Sequence, residues 1–208
     1  MDFDYIIVGA GSAGCVLANR LSASGRHRVL LLEAGPKDRY PWLHIPIGYA
    51  KTMFHPRYNW CYDTEPDPGL NGRSIYWPRG IVLGGSSAIN GLIYVRGQRE
   101  DYDHWAALGN RGWSWDDVLP YFIRSERNQR GADDFHGDRG PQGVSDVDRP
   151  NTLARAFIAG CVEAGYPAND DFNGASQEGA GPYQLITWKG RRSAPRQGIL
   201  SPPGNGAT

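Results

Sequence analysis

The chain has 208 residues, 40% of them apolar and 12% aromatic, enough to build a core for one large domain or one and a half ordinary ones. Its 22 basic residues balance 22 acidic ones, which excludes a global field suited to nucleic acid or an anionic membrane. The apolar runs fall far short of a membrane span, and Asp2 and Asp4 stand where a basic signal peptide would begin, so the cytoplasm is the expected compartment.

In chain order, the first informative stretch is Asp4 to Gly35. Tyr5-Ile6-Ile7-Val8 reads as a buried parallel strand and runs directly into Gly9-Ala10-Gly11-Ser12-Ala13-Gly14. A helix is expected next, with Cys15, Val16, Leu17, Ala18 and Leu21 on its apolar face, Asn19 and Arg20 in water, and a stop near Gly25. A second strand, Val29-Leu30-Leu31-Leu32, ends on Glu33. In such a unit the first glycine permits the tight turn, the second lets a pyrophosphate approach the backbone, and the third allows close helix–strand packing. The helix N-terminus then offers its uncapped N–H groups to phosphate. Glu33, about 20 residues beyond the glycines, is placed to accept hydrogen bonds from a ribose hydroxyl. It would repel a 2′-phosphate, and Ala34-Gly35 supply no arginine to hold one. The plain alternative is a glycine-rich turn in a non-binding α/β domain, and the motif by itself leaves FAD and NAD both open.

Residues 36–60 are rich in proline and aromatics and read as irregular chain. Tyr62 to Glu65 and Ser74 to Trp77 are candidate short strands, with turn signals at Pro66-Asp67-Pro68-Gly69 and Asn71-Gly72 between them. The second informative stretch is Pro78 to Gly97, where Gly84-Gly85-Ser86-Ser87 and Asn90-Gly91 form a loop with little side-chain bulk and many backbone donors. Something flat or anionic could lie against it, although a plain small-residue turn reads equally well. Cys15, Cys61 and Cys161 are widely spaced, with no CxxC pair and no histidine cluster, so thiols are expected rather than a disulfide or a metal site.

Three segments together, Asp4 to Gly14, Leu31 to Gly35 and Pro78 to Gly97, resemble the glucose-methanol-choline (GMC) family of FAD-dependent alcohol oxidoreductases, especially its choline-dehydrogenase-like bacterial members, over residues 2 to about 192. The resemblance implies an α/β fold: an FAD/NAD(P)-binding Rossmann-like three-layer domain over residues 1–150, and the start of a second, α+β substrate domain over 151–192. It favours FAD over NAD and implies cofactor contacts from Gly9, Gly11, Ser12, Ala13, Gly14, Glu33 and Ala34 on the ADP half. Val82, Asn90, Gly91, Leu92 and Ile93 are implied beside the flavin and its linker. Ile81 stands where the family usually carries Lys or Arg, and Ile89 where some members carry a flavin-bonded histidine, so non-covalent FAD is expected. The implied reaction is oxidation of a small-molecule alcohol by hydride transfer to flavin, with no nucleic-acid partner and no membrane span. The alternative is a truncated FAD-binding fragment without turnover.

Beyond this block, Glu100 to Ala106 reads as a helix start, with His104 an exposed helical histidine. Trp113 to Phe122 reads as a helix capped by Ser114 and packed on the flavin domain, and His136 as structural. Asn151 to Gly165 has helix periodicity with a broad apolar face, capped by Asn151 or Thr152. Asp170 and Asp171 are expected in a solvated loop, and Tyr183 to Trp188 in a strand. Residues 193–208, rich in Pro and Gly, depart from the family pattern and read as a disordered tail, the product of a frame error. The family's proton-accepting histidine has no counterpart here, so no catalytic residue and no metal ligand is assigned.

Overall fold

The computed structural model describes residues 2–193. The chain divides into two compact units: one takes the residues up to Leu92 and those from Lys189 onward, the other is Ile93–Trp188. The expectations for the tail lie outside the described residues, save for Ser193, which is buried.

In the first unit, β1 (Tyr5–Val8) and β2 (Val29–Leu32) pair in parallel, Tyr5 against Val29 through Val8 against Leu32. Arg28 and Asp4 tie the start of the pair, as the Arg28 N–H donates to Asp4 Oδ2 at 2.7 Å and the Asp4 N–H to the Arg28 carbonyl at 2.9 Å. Helix α1 (Ser12–Ser22) crosses over between them, and Gly25, at φ +68°, follows its end. Two expectations need correction. β1 is not buried: Ile6 is 62% and Val8 84% exposed, because among the described residues this sheet has only two strands. Likewise α1 buries Gly14, Cys15 and Ala18, the small residues that let it lie close to the sheet, and leaves Val16 and Leu17 open.

After β2 come two single turns, Pro41–Leu43 and Pro46–Gly48, each opened by proline, whose fixed φ and missing donor suit the first helical position. They lead into the one-turn helix α2 (Tyr49–Thr52). β3 (Tyr62–Asp63) and β4 (Tyr76–Trp77) form an antiparallel pair, shorter than the expected strands. The core of this unit is Leu43, Tyr58, Val82, Ala88 and Ile89, with Tyr40 stacked on Tyr58 at 5.1 Å. Buried Asn59 stitches the irregular chain: its side-chain oxygen accepts from the N–H groups of Cys61 and Arg79, and its amide nitrogen donates to the Tyr76 hydroxyl and the Met53 carbonyl. A proline-rich stretch that cannot form regular ladders satisfies its backbone here through one side chain.

The second unit holds α3 (Arg99–Ala107), α4 (Trp115–Ser125), β5 (Glu126–Asn128), β6 (Gln142–Val144), α5 (Thr152–Glu163) and β7 (Thr187–Trp188). Both α3 and α4 open with a capping box, Gln98 with Asp101 and Ser114 with Asp117. Asn151 caps α5 by accepting from the Leu153 N–H. β5 and β6 run parallel, and Leu185 bridges to Ser145 beside them. α5 forms as the periodicity expects, and its apolar face is open, with Leu153 79% and Phe157 71% exposed. Asp171 departs from expectation, being ion-paired to buried His136 at 3.0 Å instead of solvated. Among the described residues no helix is long and apolar enough to cross a membrane.

Candidate dinucleotide site

The turn after β1 is held from three sides. The Gly9 N–H continues the ladder by donating to the Leu32 carbonyl at 2.8 Å, and its own φ of +93° is open to glycine at little cost. A Cβ on Gly14 would overlap the Gly9 carbonyl, so glycine there is what brings α1 onto the turn. A Cβ at Gly85 would lie 2.8 Å from the Gly11 Cα, and the Gly84 N–H donates to the Ala10 carbonyl at 2.8 Å. The loop between residues 80 and 88 therefore packs backbone to backbone on the glycine turn.

Glu33 closes the arrangement. Its Oε2 accepts from the Ala10 N–H at 2.8 Å and its Oε1 from the Gly35 N–H at 2.9 Å. The carboxylate is thereby fixed at the end of β2, and each oxygen retains acceptor capacity for a further hydroxyl. Beside it opens a cavity of about 660 Å³, lined by Val8, Gly9, Gly11, Leu32, Glu33 and Ala34 of the β1–α1–β2 unit and by Trp60, Tyr62, Arg79, Gly80, Gly85 and Ser86 from later in the chain. A Cβ on Gly9 or Gly11 would meet nothing within 4 Å, so the backbone at these two positions faces open space. α1 begins at Ser12 with no side-chain cap, leaving its first-turn N–H groups available. Open backbone, uncapped helix donors and a terminal carboxylate fit a nucleoside diphosphate: hydroxyls to Glu33, phosphates to the turn and helix.

Of the residues expected from sequence, Gly9, Gly11, Glu33 and Ala34 line this cavity, and Ser12, Ala13 and Gly14 form the first turn of α1 beside it. Val82 is fully buried in the core. Asn90, Gly91 and Leu92 form a separate turn of the same unit, while Ile93 is exposed at the start of the second unit. In that turn the Asn90 side-chain oxygen accepts from the Leu92 N–H at 3.2 Å, and buried Leu92 holds a left-handed φ of +71°, a conformation that costs a branched residue about 1–2 kcal/mol.

Arg192 fixes this turn. Its Nη1 donates to Asn90 Oδ1 at 2.7 Å and to the Ser87 carbonyl at 3.2 Å, and its Nη2 donates to the Asn90 carbonyl at 2.9 Å. The Asn90 side-chain oxygen is thus fully engaged, and its amide NH₂ is the part left to donate. Burial lowers the Arg192 pKa to about 10, so the guanidinium stays charged at neutral pH. The sequence reading missed Arg192, Arg79, Trp60 and Tyr62. The Gly84-Gly85-Ser86 run was the available signal for the later lining residues, but nothing local marks a residue that acts from about 100 positions away.

The geometry defines a Rossmann-like dinucleotide-binding unit. The GMC oxidoreductase profile matches residues 3–206, further along the tail than the sequence reading carried the resemblance. The chain belongs to the GMC oxidoreductase family. It is 49% identical to an oxygen-dependent choline dehydrogenase of Photobacterium profundum, over 95% of this chain and 35% of that protein. It is 47% identical to an alcohol dehydrogenase (acceptor) of Pseudomonas putida, over 95% of this chain and 36% of that one. In structure it resembles a pyridoxine 4-oxidase from Mesorbium loti, with a TM-score of 0.91 and 37% identity, over 96% of this chain and 40% of the other. It also resembles an FAD-dependent oxidoreductase from Chaetomium thermophilum, with a TM-score of 0.84 and 32% identity, over 95% and 36%. The chain spans between about a third and two-fifths of the length of these relatives and corresponds to their FAD-binding N-terminal part.

Proposed function

We propose that this chain binds FAD without a covalent bond in the cavity beside β1 and β2, and supplies the cofactor-binding part of an enzyme that oxidises a small-molecule alcohol. The observation that carries the reading is the opposition of two open glycines, Gly9 and Gly11, to a carboxylate held in place by two backbone N–H groups. In it, Glu33 holds the adenosine ribose, and the Gly9–Gly14 turn with the start of α1 holds the phosphates. The flavin, when bound, supplies the hydride-accepting chemistry. Asn90, whose oxygen is taken by Arg192 and the Leu92 N–H, presents only its amide hydrogens toward a ligand and so orients by donating. Non-covalent attachment rests on Ile89, an aliphatic residue packed in the core, standing where a covalently bonded histidine would be needed.

A second reading is dinucleotide binding without turnover, the cavity beside β1 and β2 serving only to hold the cofactor. The two separate when the flavin-reconstituted protein is mixed anaerobically with choline and simple primary alcohols. Loss of the oxidised-flavin absorbance supports alcohol oxidation, whereas an unchanged spectrum with bound FAD supports the second reading. Flavin that stays on the polypeptide after acid precipitation would overturn non-covalent binding.

A further inference from the structure

We propose that Arg79 is the counter-cation for the diphosphate of the bound dinucleotide, a role that rests on the FAD reading above and extends it to the later residues that line the cavity. The need is electrostatic. A diphosphate brings two negative charges into a cavity whose one lining carboxylate, Glu33, repels them, and the start of α1 offers only about half a positive charge. Arg79 is the cationic residue in the lining.

Its backbone is fixed with respect to the glycine turn. The Arg79 N–H donates to Asn59 Oδ1 at 2.8 Å and its carbonyl accepts from the Trp60 N–H at 2.8 Å. The next residue, Gly80, donates to Ser86 Oγ at 3.1 Å, within the loop that packs on Gly11. The guanidinium, by contrast, is weakly committed. It lies 4.8 Å from the Trp77 ring, Nη1 donates to the Pro78 carbonyl at 2.7 Å, and among the described residues it forms no ion pair with a carboxylate. A planar fork with spare donors, anchored at its root and unpaired at its tip, is suited to bidentate pairing with phosphate oxygens. Ile81 sharpens the point, because with an aliphatic side chain there the positive charge of this loop rests on Arg79.

The test is isothermal titration of the full chain with adenosine, ADP and FAD at two salt concentrations. Arg79→Gln should raise the Kd for ADP and FAD at least tenfold, the scale of a hydrogen bond between charged groups, leave adenosine within twofold, and flatten the salt dependence. Arg79→Lys, which keeps the charge but not the fork, should lose less ADP affinity than Arg79→Gln. Unchanged ADP and FAD affinity in Arg79→Gln would overturn the role while leaving the FAD reading intact, as would an equal loss for adenosine, which would report damage to the loop. Failure of the unaltered chain to bind either ADP or FAD would overturn both.

Discussion

Glu33 performs two tasks that a single alanine substitution would confuse. It accepts from Ala10 and Gly35, which shapes the turn, and it offers remaining lone pairs to a ribose. Glu33→Ala should weaken FAD by about 1.5–3 kcal/mol, the range for a hydrogen bond to a charged group, and should also lower the denaturation midpoint through the two backbone donors left without it. Titration of FAD into the variant, together with its urea melt, checks both. Affinity equal to that of the unaltered chain would remove the ribose role. The Gly14 and Gly85 contacts belong to the same scale: each is a place where the closeness of two backbones, α1 on the turn and the loop on Gly11, leaves no room for a Cβ.

At the scale of elements, the turn from Ser87 to Leu92 depends on a strand that comes late in the chain. The Arg191–Arg192 strand places a guanidinium across three acceptors, Ser87 O, Asn90 O and Asn90 Oδ1, and its own backbone donates to the His44 carbonyl at 3.0 Å. Arg192→Met keeps the length of the side chain and removes every donor. We expect a loss of about 1–3 kcal/mol, the cost of leaving three part-buried acceptors without their donor, read as a lower urea midpoint. The Asn90 amide should also lose its fixed orientation, so FAD affinity should fall by more than Arg192→Lys causes. A variant as stable as the parent would show that water replaces the guanidinium without penalty.

For the molecule as a whole, the pH range of stability is set by charges buried in the second unit. Glu126, fully buried, accepts from Arg96 at 2.9 Å, from His136 Nδ1 at 3.0 Å, and from the Gly137 N–H at 3.0 Å. His136 Nε2 donates to Asp171 at 3.0 Å, and Asn128 and Gln184 complete the network. Burial opposes charge on His136, but its hydrogen bonds to Asp171 and Glu126 outweigh that and raise its pKa to about 9. The hydrogen bond from His136 holds the Asp171 carboxyl below its ordinary value. A folded pKa above the unfolded one means stability fully present below pH about 6.5 and lost as pH rises through about 9, worth roughly 3 kcal/mol. Urea melts from pH 6 to 10 should show this decline, and His136→Gln should be less stable at pH 6 and nearly flat across the interval. A parent curve without slope there would rule out a charged His136.

The sequence by itself determined the parallel β1–α1–β2 unit, its glycine turn, the carboxylate at its end and the caps of α4 and α5. Each rests on interactions between residues a few positions apart or on a spacing that fixes one geometry. The tertiary structure decided what local pattern cannot encode. The apolar run of β1 marked it as buried, but burial needs a partner surface, and among the described residues its face and the apolar face of α5 both stay open. Asp171 looked like a surface acid because its partner, His136, lies 35 positions earlier. Arg79 enters the cavity wall, and Arg192 reaches Asn90, only because long-range backbone pairing brings distant segments together, a cost in loop entropy that no local window records.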